Sequence, residues 1–157
     1  MEGGVRQTPP FLIRKKKIMN DLLAQYIVGL VTDENDQFYF VQKGGVTFAL
    51  SKEEGEHSLG QSVKGFAYTD MKQKLRLTTK EVGASRTSFG WGTVSEVRKD
   101  LGVFVDTGLP DKQVVVSLDI LPEIKELWPK KGDQLYVKLD VDKKDRIWAL
   151  PAFQEEF

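Results

Sequence analysis

The segment RKDLGVFVDTG, residues 98–108, places an aromatic side chain where a half-buried strand should be polar. Val103 and Val105 alternate with Phe104 and Asp106, and successive strand side chains point to opposite faces. If the valines line a core, Phe104 faces outward, where an exposed aromatic ring needs a partner to pack against. Phe104 is therefore the first candidate binding residue.

The sequence gives little support for catalysis or for a metal site. The chain has no cysteine, which excludes disulfides, thiol nucleophiles and thiolate metal sites. Its one histidine, His57, lies in the hydrophilic segment KEEGEHSLG, and a lone loop histidine is usually solvated. The nearby glutamates lack the spacing of a calcium loop or a Nudix phosphohydrolase box, since Leu50 or Ser51 stands where that box needs glutamate. We expect a protein that is not an enzyme, binds no metal and uses no cofactor.

The charge distribution restricts how nucleic acid could bind. The whole chain has 23 basic and 23 acidic side chains. Residues 1–20 hold five of the basic and one of the acidic groups, so residues 21–157 are slightly acidic. Overall electrostatic attraction to phosphate is therefore absent, and binding must use a local patch of basic and aromatic side chains.

The N-terminal region predicts neither export nor a membrane span. Residues 1–18 contain paired prolines and a run of lysines, which predict a disordered basic extension or sequence added to the natural protein. The following stretch, IMNDLLAQYIVGLV, is interrupted by Asn20, Asp21 and Gln25 and is followed by no small-residue cleavage site. Together with the absence of cysteine, this favours a cytoplasmic protein.

The rest of the chain repeats itself. GLVTDENDQFYFV (29–41) and GTVSEVRKDLGVFV (92–105) both begin with Gly-x-Val and end with Phe-Val. Downstream, LGQSVKGFAYTDMKQKLRL (59–77) parallels KGDQLYVKLDVDKKDRIWAL (131–150), each with a strand, an Asp, a Lys-rich turn and a second strand. The pattern indicates two copies of one small module.

The polar segment TTKEVGASRTS, residues 78–88, links the two copies, so we assign residues 19–80 to the first module and residues 81–157 to the second. The alternation of apolar and polar residues in the second copy predicts five strands, at about 89–97, 102–107, 113–118, 134–142 and 145–149.

A short helical turn is predicted between the third and fourth of these strands. There, DILPEIKELWPKKGD contains Leu121, Ile124, Leu127 and Trp128 at helical spacing, with Pro129 ending the turn and Trp128 covering one end of a barrel. Five strands with such an insertion are typical of the OB-fold. The chain is thus predicted to be all-β, with tandem five-stranded OB-fold barrels.

The second copy resembles an S1 RNA-binding domain. The resemblance lies in Gly92 and Val94, then GVFV, VVVSLDIL and GDQLYVKL, and finally Asp142 followed four residues later by Arg146. Residues 19–157 also resemble the N-terminal half of the conserved virulence factor B family of streptococci and staphylococci, through GFAYTDMKQKLRLTT and VRKDLGVFVDTGLPDK. Members of that family continue with a further module and a winged-helix domain, which implies that C-terminal domains beyond this sequence could contact these modules.

In the second copy, the resemblance implies that Phe104 stacks on a base and that Asp142 and Arg146 complete the site. Leu101 replaces the aromatic residue that usually precedes the family's glycine, and Ser117 replaces a histidine. Both departures from the family pattern imply a lower affinity for RNA. Trp148 shares a strand face with Arg146, and Trp91, Phe89 and Lys99 are placed to add contacts.

The first copy keeps less of the pattern. Phe40 matches Phe104, while Asp70 and Lys74 take the places of Asp142 and Arg146. Its loop DENDQ is acidic and repels phosphate, so we expect this module to bind weakly or to act as a structural neighbour.

The sequence therefore predicts a monomeric, cytoplasmic protein that binds single-stranded RNA with low sequence specificity, and the resemblance implies a post-transcriptional regulator linked to virulence. The alternative is a protein-interaction scaffold in which the same aromatic side chains pack on a partner or on the C-terminal domains. Asp142 and Arg146 would then form only a turn salt bridge. The predicted RNA contacts are Phe104, Arg146, Asp142, Ser117, Trp91, Lys99, Phe40 and Lys74.

Overall fold

The computed structural model describes residues 19–152 and shows two closed five-stranded barrels in tandem. In each barrel the strands are arranged in the order first, second, third, fifth and fourth, and the fourth closes the barrel against the first. The prediction of two all-β, OB-like barrels is confirmed. The extension predicted for residues 1–18 lies outside the described residues, as do residues 153–157.

The strands of the first barrel are β1 (Gln25–Glu34), β2 (Phe38–Lys43), β3 (Val46–Ser51), β4 (Ser62–Thr69) and β5 (Leu75–Thr78). Those of the second barrel are β6 (Gly90–Arg98), β7 (Gly102–Asp106), β8 (Val114–Ser117), β9 (Gln134–Val141) and β10 (Ile147–Pro151). A helical turn at residues 19–22 precedes β1. Within residues 19–152, no helix has the length and apolar character needed to cross a membrane.

Alternation along the strands sets the inner and outer faces of each barrel. In β7, Val103 and Val105 are fully buried and Phe104 lies between them on the outer face, half-buried. In β2, Tyr39 and Val41 are buried and Phe40 faces outward in the same way. The period of two in the sequence therefore predicted the outward ring correctly.

The Gly-x-Val motif that opens each repeat has a steric cause. A Cβ atom on Gly29 would lie 2.6 Å from Cγ1 of Val41, and one on Gly92 would lie 2.5 Å from Cγ1 of Val105. In both barrels the glycine therefore makes room for a core valine of the adjacent strand. Because that close approach recurs in each barrel, the motif recurs in each copy of the sequence.

The segment between β8 and β9 forms two short 3₁₀ turns, Leu118–Ile120 and Lys125–Leu127, and no α-helix. Trp128 is buried and its Nε1 donates a hydrogen bond to the carbonyl oxygen of Pro122, so it covers the core as predicted. Ile124 and Leu127, which the helical spacing placed with Trp128, are 58% and 66% exposed. Because the segment forms two separate 3₁₀ turns and no continuous α-helix, these residues do not share one buried face.

The barrels pack against each other. Ala24, Phe66 and Tyr68 of the first barrel join the core of the second. Across the boundary, the Tyr68 hydroxyl donates to the Asp111 carboxylate at 3.0 Å, and Thr69 Oγ1 donates to the carbonyl oxygen of Asp145 at 3.0 Å. The turn that follows β9 is thus held by residues of the other barrel.

Candidate nucleic-acid interface

Three outward side chains form a strip across the second barrel, which we call the outer row: Phe104, Val115 and Trp148. Phe104 on β7 lies opposite Val115 on β8, and Val115 lies opposite Trp148 on β10. All three are half-buried. Directly opposed side chains on neighbouring strands have Cβ atoms about 5 Å apart, so the row is a continuous apolar surface with an aromatic ring at each end.

A tight turn closes one end of the outer row. The backbone N–H groups of Lys144 and Arg146 donate to Asp142 Oδ1 at 2.8 and 2.9 Å. The other carboxylate oxygen, Oδ2, accepts from Arg146 Nε at 2.8 Å and from Trp148 Nε1 at 2.9 Å. A single carboxylate therefore fixes the turn, the guanidinium and the indole together.

This hydrogen bonding changes the acidity of Asp142. Burial alone would raise the pKa of Asp142, but hydrogen bonds from Trp148, from Arg146 and from the Lys144 backbone outweigh burial and lower its pKa to about 2. The group is therefore ionised at neutral pH.

Arg146 is the cation of this end of the row. Its guanidinium carbon lies 5.6 Å from the centre of the Trp148 ring, and its side chain remains 51% exposed. Within residues 19–152, only its Nε donates a side-chain hydrogen bond, so the terminal N–H groups are available to a phosphate or a base edge.

Two further predicted contacts lie near the outer row. Ser117 pairs with Gly102, further along β8 from Val115, and its hydroxyl accepts a hydrogen bond from the backbone N–H of Asp119 at 3.2 Å. The serine thus caps a 3₁₀ turn, a structural role that the sequence did not indicate. Lys99 is exposed in the turn between β6 and β7, beside the exposed Leu101.

Trp91 does not extend the outer row. It lies on β6 opposite Tyr136 of β9, whereas the β6 residue opposite Phe104 is Glu96, five positions further along the strand. Five strand residues span about 16 Å. The sequence placed Trp91 on the outer face but could not give its distance from Phe104.

Trp91 instead belongs to a separate aromatic cluster with Phe89 and Tyr136. The rings of Phe89 and Tyr136 stack with centroids 5.3 Å apart, and the Trp91 ring lies 4.9 Å from that of Tyr136. Lys138 Nζ lies 5.3 Å from the centre of the Phe89 ring. Trp91 is 61% exposed, so the cluster forms a second surface on this barrel.

The first barrel repeats the register of the outer row with different residues. Phe40 lies opposite Ala49, and Ala49 lies opposite Arg76. Arg76 thus occupies the position of Trp148, and its Nε donates to Asp70 Oδ2 at 2.8 Å. Its guanidinium carbon also lies 4.5 Å from the centre of the Phe38 ring.

Lys74 corresponds to Arg146 in its backbone but not in its side chain. Its backbone N–H donates to Asp70 Oδ1, as that of Arg146 does to Asp142, so the turns correspond as predicted. The Lys74 side chain is exposed, however, and the cation on the carboxylate is Arg76. Burial alone would raise the pKa of Asp70, but hydrogen bonds from the Lys74 backbone and the Arg76 side chain outweigh it and lower that pKa. Arg76 was not among the predicted contacts, although the strand LRLT places it outward.

The surface of the first barrel beside Phe40, Ala49 and Arg76 is acidic. A cleft of about 690 Å³ lies between it and the β7–β8 loop of the second barrel. Four carboxylates and three cations line the cleft: Asp36, Glu53, Glu54, Asp111, Lys52, Arg76 and Lys80. Because Arg76 is already paired with Asp70, the surface disfavours phosphate.

Within residues 19–152, no group of three or more acidic or histidine side chains is placed to hold a metal ion. His57 packs edge-on against Tyr39, with the ring centroids 5.4 Å apart.

Comparisons with known proteins agree with this architecture. Residues 89–150 match the family model of the CvfB first S1-like domain, and residues 25–80 match that of the S1 domain. S1 domains are nucleic-acid-binding domains, so both barrels are of a nucleic-acid-binding type.

Similar proteins are found in several bacteria. The chain is 35% identical over 131 residues to the uncharacterized protein YitL of Bacillus subtilis, covering 82% of this chain and 44% of YitL. It is 32% identical over 97 residues to conserved virulence factor B of Staphylococcus epidermidis, covering 62% of this chain and 32% of that protein. The chain therefore spans less than half the length of these relatives.

A solved structure is similar over most of the described fold. It is a multidomain protein with nucleic acid binding domains from Streptococcus pneumoniae TIGR4, 75% identical with a TM-score of 0.80, and the match covers 87% of this chain and 48% of that one. Together, this structure, the two domain matches and the relatives above identify the family of the chain. It is a CvfB family-like protein with tandem S1 domains, homologous to the N-terminal part of CvfB and YitL.

Proposed function

We propose that this chain binds single-stranded RNA with low sequence specificity and acts as a cytoplasmic, non-enzymatic, post-transcriptional regulator. The observation that supports this most directly is the outer row, in which two outward aromatic rings share a surface with a partly free guanidinium. The similar pneumococcal protein is described as having nucleic acid binding domains, and the staphylococcal relatives are named for virulence.

The chemistry of binding follows from the row. Phe104 and Trp148 offer ring faces to successive bases, and Val115 fills the space between them. Arg146 supplies a charge for phosphate at the Trp148 end, and Asp142 holds both side chains in place without contacting the ligand. The ring faces stack on any base, so low sequence specificity follows.

The two barrels have unequal parts in this proposal. The first barrel has Phe40 in the place of Phe104, but Arg76 is paired with Asp70 and the adjacent cleft is rich in carboxylates. We assign the main RNA contact to the second barrel and a weak or supporting role to the first.

A protein-interaction scaffold is the second candidate function, favoured by the aromatic cluster in which the exposed Trp91 packs with Phe89 and Tyr136. The salt dependence of binding distinguishes the two functions. RNA binding through phosphate weakens linearly on logarithmic axes as salt rises, whereas an apolar protein contact responds little.

The test is a fluorescence-anisotropy titration of labelled single-stranded RNA at two salt concentrations. Wild type is compared with Phe104→Ala/Arg146→Ala, with folding checked by circular dichroism. Losing one stacked base costs about 1 to 3 kcal/mol, so affinity should fall roughly 5- to 150-fold, and further with the charge removed. The matched control is Phe104→Tyr, which keeps a stacking ring and should bind as wild type does. Absence of wild-type binding even at low salt, or equal binding by the folded double variant, would refute the assignment.

A further inference from the structure

A groove lies along the second barrel between β6 and the segment that precedes β9. Its volume is about 410 Å³. One wall is β6, including Glu96, and the other carries Lys125, Lys130 and Lys131 beside Trp128. Neither the packing of the fold nor the outer row requires these lysines.

The groove has the opposite charge balance from the cleft of the first barrel. Three lysines line it against a single carboxylate, Glu96. Within residues 19–152, none of these ammonium groups lies in a salt bridge. Asp133 is close in sequence, but its carboxylate accepts the backbone N–H of Lys130 and does not line the groove. In the part of the chain that the structure describes, these three ammonium groups therefore have no ion-pair partner.

One wall of the groove is rigid. Trp128 is buried, and its indole N–H is bonded to Pro122 at 2.7 Å. Lys125 Nζ lies 5.8 Å from the centre of that indole ring, which positions the ammonium above a fixed surface. A preorganised charge of this kind costs less entropy on binding than one on a free side chain.

The groove also begins where the outer row ends. Glu96 is the β6 residue directly opposite Phe104, and it lines the groove. A continuous path therefore runs from Arg146 across Trp148, Val115 and Phe104, then past Glu96 to the lysines. From Trp148 to Glu96 it crosses three strand spacings, about 14 Å.

We infer that this groove is a phosphate-binding extension of the RNA site, into which the backbone of a single strand passes after its bases leave the outer row. Lys125, Lys130 and Lys131 neutralise the phosphates there. The inference rests on the proposed function, because it assigns a second part of the same site. The strand thus enters at a cation, stacks on apolar rings and leaves through a second group of cations.

Salt dependence of binding tests this inference. The probe is a labelled twelve-nucleotide oligo(rU), and the variant is Lys130→Ala/Lys131→Ala. The matched control is Lys43→Ala/Lys72→Ala, which removes two exposed lysines of the first barrel that line neither the groove nor the cleft. Each phosphate contact on a single strand contributes about 0.7 to the slope of log K against log salt. The groove variant should lose about 1.4 from that slope, and the control should keep the wild-type slope.

Glu96 provides a test with the opposite sign. Because its carboxylate faces the path of the phosphates, Glu96→Gln should strengthen binding of the same probe, by about two- to fivefold at low salt. The slope loss of the lysine variant should be the same for an oligo(dU) probe, since RNA and DNA share the phosphate. A loss confined to RNA would overturn the assignment to phosphate.

The two proposals fail in different ways. If wild type does not bind oligo(rU), or if Phe104→Ala/Arg146→Ala binds as wild type does, the proposed function itself is wrong. If the row variant loses binding while Lys130→Ala/Lys131→Ala keeps the slope of its control, the RNA site stands and the groove is not part of it.

Discussion

Replacing Asp142 with asparagine should show how far one carboxylate organises the candidate site. The introduced amide would keep an oxygen that can accept the backbone N–H groups of Lys144 and Arg146. Its nitrogen cannot accept the hydrogen bonds that Arg146 Nε and Trp148 Nε1 now donate to Oδ2. The substitution therefore preserves the size of the side chain and removes the hold on the guanidinium and the indole.

The pKa of Asp142 sets the size of the effect on stability. The ordinary pKa of 3.8 falls to about 2 in the folded protein. That interval corresponds to at most about 2.4 kcal/mol of stabilisation at neutral pH. The Asp142 and Arg146 side chains are 25% and 51% exposed, and solvent screening reduces the value to about 1 to 2 kcal/mol.

The pH dependence follows from the direction of this change. Because the pKa is lower in the folded state than in the unfolded chain, the ionised carboxylate stabilises the fold fully above about pH 5. The stabilisation is lost as pH falls through 3.8 toward 2. At about pH 3 roughly half of it remains.

Urea unfolding followed by tryptophan fluorescence measures the difference. Asp142→Asn should lower the free energy of unfolding by about 1 to 2 kcal/mol at about pH 7 and by roughly half as much at about pH 3. Asp140→Asn, an exposed position two residues earlier, is the matched control and should change little at either pH. A difference that is absent at neutral pH, or that stays the same in acid, would refute the reasoning.

Two further substitutions test a hydrogen bond across the barrel boundary and a close backbone approach between the linking segment and β6. Tyr68→Phe removes the hydroxyl that is bonded to Asp111 across the boundary, so it should lower the free energy of unfolding by about 1 to 2 kcal/mol. Calorimetry should then show a lower melting temperature, and an unchanged melting temperature would contradict this expectation. Gly90→Ala would place a Cβ atom 1.7 Å from the carbonyl oxygen of Gly83 and should cost more than about 2 kcal/mol in urea unfolding. Gly132→Ala is the control, because only a positive φ of 93° opposes it, and it should lower the free energy of unfolding by about 1 kcal/mol. If the two glycine variants lost the same free energy, the contact with the Gly83 carbonyl oxygen would not be the cause.

The fold was predictable because its determinants are local. Buried apolar residues alternate with outward residues in β7 and β2, and this alternation predicts strands without knowledge of their partners. The two Gly-x-Val motifs mark a close packing of neighbouring strands that both barrels need. Since the same local constraints occur twice, the repeat was visible in the sequence.

The candidate site was only partly predictable, because it depends on register between distant strands. Alternation showed that Phe104 faces outward, but only strand pairing shows that Val115 and Trp148 lie beside it and that Trp91 does not. The bulge in β6 between Val94 and Glu96 shifts the pairing with β7, and no residue type in this segment predicts the bulge.

Comparison of the two barrels shows how one scaffold supports surfaces of different chemistry. The turn that carries the aspartate is the same in both, since Asp70 and Asp142 each accept two backbone N–H groups. In the first barrel the carboxylate neutralises Arg76 at the end of the row, whereas in the second it binds an uncharged indole as well as Arg146 and leaves the guanidinium partly exposed. Because a shared fold fixes only the turn and the register, the residue two positions after the turn decides whether the row ends in a paired charge or a ring. The asymmetry in RNA binding that we propose therefore arises from side chains at equivalent positions and needs no difference in the backbone.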